Sequence, residues 1–234
     1  MSQSKVDLIR GMSNLPLNAK GRAEAQRVAK RLGERGGVFG VSSSPLTRAV
    51  QTASAVLEHS PLSKLLDVTS CLEPWHLGEY EGTPSADVAP KMIPFVADPM
   101  LKVPGNGPIS KIPGETLHAF LFRFLPYLRQ QVLSNPKGYG LVLCCHFRNI
   151  KAALAWAKAG GKQDWAIDEA EFLANVQAPT DSLWCVEFED GKWVVEPEDL
   201  FGEDEPLDDV YLLRHGSTDF NHESQGSSSN VTGS

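Results

Sequence analysis

The sequence predicts a three-layer α/β/α sandwich around a mostly parallel central sheet, and three observations carry that expectation. Short apolar runs alternate with segments of helical period, the pattern of a sheet covered by helices on both faces. Several runs end directly in reactive residue types, as at Ser43-Ser44-Pro45, His146 and Arg214-His215, and open α/β sheets bind ligands beyond the carboxyl ends of their strands. With 234 residues and 41% hydrophobic content, the chain can bury a substantial core as one domain, 1–234.

Taken in order, residues 17–35 read as a helix: Asn18 caps it, Ala, Glu, Gln and Lys fill it, and Gly36-Gly37 stops it. Residues 38–41 follow as a short buried strand running into Ser42-Ser43-Ser44-Pro45, then a helix over 46–58 and a strand near 65–68. Residues 84–113 are rich in Pro and Gly and keep no period, so they predict a long excursion rather than a packed element. The spacing of Leu117, Phe120, Leu121, Phe124, Leu125 and Leu128 predicts a helix over 116–133. A strand over 141–145 and a helix over 149–158 come next, then a hairpin of 182–188 and 192–195 turned by Asp190-Gly191. The main body is thus 6–195; the acidic, Pro-containing 196–209 reads as a linker, 210–224 as a last strand and its loop, and 225–234 as a polar, flexible tail.

Composition narrows the function classes. A net charge of −7 argues against a general nucleic-acid or anionic-membrane binder. No apolar run approaches the roughly 20 residues that span a bilayer, and residues 1–5 lack a signal-peptide core, so the expected location is the cytoplasm. Cys144 and Cys145 are adjacent in an apolar run and Cys71 and Cys185 lack local partners, which predicts free thiols. The absence of a Cys/His cluster with zinc spacing leads us to expect neither metal nor cofactor.

The reactive residues form a constellation. Arg214 and His215 end the last strand, Arg48 falls in the first turn of a helix, Glu73 follows the second strand, and His146 ends the run 141–145. Each alone is ordinary: an Arg in a first helical turn is usually a surface residue, and a His ending a strand is usually structural. Together, two Arg, two His and a carboxylate at strand ends suit phosphoryl transfer without a metal. Guanidiniums grip the phosphate, an imidazole attacks phosphorus and an acid protonates the leaving oxygen.

The motifs resemble those of the histidine phosphatase superfamily, with its phosphoglycerate-mutase-like fold. Leu213-Arg214-His215-Gly216-Ser217-Thr218-Asp219-Phe220-Asn221 resembles that family's opening strand and RHG(E/S)T-x-x-N pattern. Residues 11–21 resemble G-x-x-D-x-P-L-x-x-x-G, residues 43–53 resemble S-S-P-L-x-R-A-x-Q-T-A, and Leu72-Glu73 with Gly78 and Glu81-Gly82 resembles L-x-E…G-x-x-E-G. Residues 113–117 resemble G-E-S-L, and His146 through Ile150 to Lys151 resembles H-G-x-x-I-R. The resemblance implies a phosphatase in which His215 becomes phosphohistidine, Arg214, Arg48 and His146 hold the phosphoryl oxygens, and Glu73 is general acid and base. Asn221, Thr218, Arg148 and Arg10 are the expected substrate contacts.

Two departures stand out. The family's first strand is last here, which implies a circular permutation with 196–209 joining the former ends and both chain ends near the mouth of the site. Phe147-Arg148 stands where the family commonly has Gly, adding bulk and charge beside His146. The expected partner is a small phosphorylated metabolite or a phosphoprotein. A mutase-type phosphotransferase is the nearest alternative, ranked lower because 84–113 is short for enclosing an intermediate against water. A non-catalytic binder of phosphorylated ligands is the other alternative, and the presence of all five core residues argues against it.

Overall fold

A computed structural model describes residues 8–63, 65–202, 206, 207 and 209–218. Its strands are β1 (Val38–Ser43), β2 (Leu66–Val68), β3 (Gly140–Cys145), β4 (Leu183–Glu189), β5 (Lys192–Glu198) and β6 (Val210–Arg214). They form one sheet in the order β2-β1-β3-β6-β4-β5. β1 pairs parallel with β2 and β3, and β3 pairs parallel with β6; β4 alone is reversed, antiparallel to both β6 and β5. The helices are α1 (Ala19–Arg35), α2 (Thr47–His59), α3 (Ser85–Val88), α4 (Ile93–Ala97), α5 (Leu117–Ser134), α6 (Phe147–Lys158) and α7 (Glu169–Leu173).

Side chains alternate across the two central strands and so divide the core. Val142, Cys144, Tyr211 and Leu213 join Ala25, Val28, Leu32, Ala53 and Val56 of α1 and α2. Leu143, Cys145, Val210 and Leu212 join Phe120, Phe124, Ile150 and Trp156 of α5 and α6. One sheet with a helical layer on each face is the expected α/β/α sandwich. The last strand therefore lies inside the sheet, and Val210, Tyr211, Leu212 and Leu213 are each at most 4% exposed. Burying four such side chains stabilises by roughly 6–12 kcal/mol, which is on the order of a whole domain's stability.

Three segments differ from the sequence expectation. Residues 84–113 are packed: α3, a 3-10 turn over Ala89–Met92 and α4 bury Val88, Met92, Phe95 and Val96. Helices of four or five residues carry no period to read, and their prolines sit in first turns, where no N–H is missed. α7 went unforeseen for the same reason of length. The linker at 196–209 is only partly a linker, since β5 runs on to Glu198 and Leu200 and Leu207 are 4% and 0% exposed. All four cysteines are free, with Cys144, Cys145 and Cys185 buried and Cys71 half-buried. The expected positions of the chain ends, 1–5 and 225–234, fall outside the described residues.

The C-terminal end of the described chain meets the start of α1. Asn18 caps that helix by accepting from Gly21 N at 2.7 Å, while its own N–H donates to Ser217 O at 3.1 Å. Leu17 and Thr218 form an isolated antiparallel bridge. The loop after β6 lies so close to α1 that a Cβ on Gly21 would stand 2.0 Å from Ser217 O. Gly21→Ala is therefore expected to cost about 1–3 kcal/mol through overpacking, read as a lowered urea midpoint. An unchanged midpoint would contradict the close approach.

Candidate active site

Three parallel strands, β1, β3 and β6, deliver side chains to one edge of the sheet. β1 runs into Ser44 and then α2, whose second residue is Arg48. β3 ends at Cys145, so His146 stands at the N-cap of α6, its N–H donating to Asn149 Oδ1 at 3.3 Å. β6 ends at Arg214, and His215 follows with its N–H on Cys145 O at 3.3 Å. Arg48, His146 and His215 are 1%, 3% and 3% exposed. Burial of this degree leaves their geometry to hydrogen bonds within the protein.

Those bonds assign the protons. Arg48 Nε donates to His215 Nε2 at 3.1 Å. Its Nη1 donates to Ser13 O at 2.6 Å, and its Nη2 to Gly11 O at 3.0 Å and towards His146 Nδ1 at 3.4 Å. A guanidinium only donates, so His215 Nε2 and His146 Nδ1 are lone-pair nitrogens. The remaining ring nitrogens carry the hydrogens: His215 Nδ1 donates to Gly216 O at 2.7 Å and His146 Nε2 to Ser44 Oγ at 2.8 Å. The two rings meet edge to face with centroids 5.0 Å apart.

The charge state agrees with this assignment. Burial first, then Arg48, holds both imidazoles well below their ordinary 6.5, so both are neutral at pH 7. Burial and the neighbouring Arg10 bring Arg48 down to about 9, opposed by Glu81 and reinforced by Arg214, and it remains a cation. Glu81 is itself 3% exposed and accepts from the N–H groups of Ile109 and Ser110 at 3.1 and 2.8 Å. A neutral imidazole with its lone pair beside a cation is a nucleophile next to an anion site.

These residues floor a cavity of about 760 Å³. Arg10, Arg148 and Arg214 also line it, whereas Thr218, read from the sequence as a substrate contact, is fully buried and does not. Arg214 donates to Ala178 O and lies 5.2 Å from the Phe147 ring, and Arg10 Nε donates to Thr218 Oγ1 at 3.0 Å. Asn221 lies outside the described residues. Glu73 is not brought to the cavity. Its carboxylate lies 3.4 Å from His76 Nε2, and only its backbone carbonyl reaches the site, accepting from Asn149 Nδ2 at 3.3 Å. The residue two after Leu72, where L-x-E calls for the carboxylate, is Pro74, and Pro74 lines the cavity.

Sequence reasoning missed several participants. Ser44 orients His146, and its place in Ser42-Ser43-Ser44-Pro45 was the available signal. Glu24 of α1 accepts from Ser217 N and Oγ, both at 2.8 Å, and so fixes the loop behind His215. Burial pushes the Glu24 carboxyl up, but the Ser217 bonds and Lys20 outweigh it and hold the group below its ordinary value. Trp75, Phe172 and Lys151 line the cavity, and Lys151 is one helical turn beyond Arg148. Among the described residues, one trio of potential metal ligands occurs, Cys185, Glu187 and Asp209. It flanks the opposite end of β6 from His215, about 20 Å away for six residues of strand. No helix of the described residues is long and apolar enough to cross a membrane.

The model of the histidine phosphatase superfamily (branch 1) matches residues 2–197. The chain belongs to the histidine phosphatase superfamily. Solved structures share its fold. A mycobacterial glucosyl-3-phosphoglycerate phosphatase in complex with inorganic phosphate superposes with a TM-score of 0.57 at 20% identity, over 82% of this chain and 91% of that one. A phosphoserine phosphatase mutant from Entamoeba histolytica, in complex with phosphoserine, gives 0.59 at 16% identity over 83% and 89%. A putative alpha-ribazole-5'-P phosphatase from Escherichia coli gives 0.55 at 19% identity over 84% and 90%. A comparison with curated proteins finds no match.

Stability reports the buried imidazoles. Because the folded protein holds His146 and His215 below 6.5, the unfolded chain takes up protons first as the pH falls. Their contribution is fully present above about 6.5 and lost below it, at up to ~1.4 kcal/mol per pH unit for each ring. Urea unfolding between pH 5 and 7 is expected to show this slope, reduced in His146→Asn. Equal slopes for the two proteins would contradict the buried neutral assignment.

Proposed function

We propose that the protein is a phosphatase that hydrolyses a phosphomonoester through a phosphohistidine on His215. The observation that carries this reading is the 3.1 Å bond from Arg48 Nε to His215 Nε2, which marks the lone-pair nitrogen and sets a cation beside it. In the first step Nε2, released from Arg48 Nε–H, bonds to phosphorus as the ester P–O bond breaks, and that bond's electron pair leaves on the alcohol oxygen, which takes a proton from solvent water. In the second, water attacks phosphorus, the N–P electron pair returns to Nε2, and inorganic phosphate departs. Gly216 O, holding Nδ1–H, stabilises the positive charge that the ring carries in between.

Arg48, Arg214 and His146, whose Nε2–H turns from Ser44 Oγ to the ligand, bind the phosphoryl oxygens and stabilise the charge that develops there. Arg10, positioned by Thr218, adds a cation at the rim, and Asn221 keeps its place as an auxiliary contact. Glu73 is left out of the acid role because its carboxylate faces His76. The cavity's size falls in the range for small-molecule sites, which favours a phosphorylated metabolite over a phosphoprotein. The chain order reads as a circular permutation, supported by a family match that ends at residue 197 while β6 pairs between β3 and β4.

Kinetics on an aryl phosphate test this. His215→Ala is expected to abolish turnover, while His146→Ala keeps a residue of it, about 10²–10³-fold down. Trapping a phosphoenzyme on any side chain other than His215 would overturn the assignment. Glu73→Gln is expected to stay within about threefold of the parent, whereas loss of a general acid typically costs 10²–10⁴-fold. A loss of that size would restore Glu73 to the acid role.

A further inference from the structure

We infer that the substrate carries a second anionic group, a carboxylate or a further phosphate, and that Arg148 and Lys151 of α6 receive it. The inference rests on the phosphatase reading and names the substrate class of the same cavity.

Both side chains line the cavity and stand three residues apart, on one face of the helix. His146 caps that helix, so Lys151 begins about 7.5 Å further along the axis than the phosphate-binding end. The Arg148 guanidinium lies 5.7 Å from the centroid of Trp75. Among the described residues it makes no hydrogen bond or ion pair, so its five donors are left to a ligand. Lys151 is 8% exposed, and its Nζ donates to Ala174 O at 2.8 Å, which leaves two donors. The rings of Phe147 and Phe172 flank that ammonium at 5.6 and 5.7 Å.

Among the described residues, charge count points to two anions rather than one, even with Glu81 set against Arg48. A phosphate ester carries about −1.5 to −2 at neutral pH, and Arg48, Arg214 and Arg10 already face it. Arg148 and Lys151 exceed what that phosphate neutralises. Glu171, the acid felt by Lys151, is engaged by Lys158 at 2.9 Å. Burial brings Arg148 down to about 10, and burial followed by Arg148 brings Lys151 down to about 8. Two cations held together in a half-buried wall are relieved by an incoming anion. Trp75, Met92 and Phe172 line the same cavity, which gives the body of the substrate an apolar surface.

The test compares three esters of equal chain length on the full chain: an alkyl phosphate, an ω-carboxyalkyl phosphate and an α,ω-alkanediol bisphosphate. A second anion bound by charged donors is expected to raise kcat/KM about ten- to hundredfold. The carboxylate and bisphosphate arms distinguish the two sources of charge. In Arg148→Gln, and in Arg148→Gln/Lys151→Met if it folds, the ratio of doubly to singly anionic ester is expected to fall at least tenfold. Equal kcat/KM for all three esters in the parent, or a ratio unchanged in Arg148→Gln, would overturn the inference. Calorimetric titration of the same compounds into His215→Asn separates the two readings. Tighter binding of the doubly anionic esters without turnover by the parent would sink the phosphatase reading and keep the subsite; equal binding would remove the subsite.

Discussion

A buried guanidinium shared between two imidazoles governs this molecule. Taking Arg48 out of water costs several kcal/mol unless its donors are satisfied. Four of its five N–H donors find partners in Ser13 O, Gly11 O, His215 Nε2 and His146 Nδ1, from three separated stretches of chain. That requirement explains why the segment at 11–14, the start of α2, the end of β3 and the end of β6 converge on one point. It also explains the close contact of Gly21 with Ser217 and the grip of Glu24 on the same loop. Each holds the His215 loop where Arg48 needs an acceptor.

The site is built at a cost to stability. Arg48, His146 and His215 are nearly inaccessible, and the cavity above them is edged by Arg10, Arg148, Lys151 and Arg214 in a chain whose net charge is −7. Like charges gathered in a recess repel, and the imidazoles are held in a form that acid would charge. A bound anion relieves that strain, so ligand binding and folding are linked through the same side chains. The apolar sheet beneath offsets the cost, and β6 contributes most directly because it holds four buried side chains and leads straight into His215.

Much of the fold was legible in the sequence where elements are long enough to show a period. α1, α2, α5 and α6 and the central strands fall close to the expected ranges, and alternation between β3 and β6 delivers both helical layers. The short α3, α4 and α7 were not legible, since four or five residues hold barely one turn. At the site, Arg48, His146, Arg214 and His215 come together as expected because each sits next to a strand end that sheet pairing brings into line. Glu73 does not, because one residue of register decides which side chain faces the cavity, and Pro74 holds that place. Arg148 was legible as extra charge, but its partnership with Lys151 depends on helix phase and on the walls contributed by Trp75 and Phe172.

The central claim is that His215 is a neutral imidazole with Nδ1 protonated and the Nε2 lone pair held beside Arg48. Long-range 15N–1H correlation of the histidine rings at neutral pH reads that state directly. The account predicts a Nδ1–H tautomer for His215 that persists as the pH falls below 6.5, and the opposite tautomer for His146. An Nε2–H tautomer or an imidazolium at position 215 at neutral pH would contradict it.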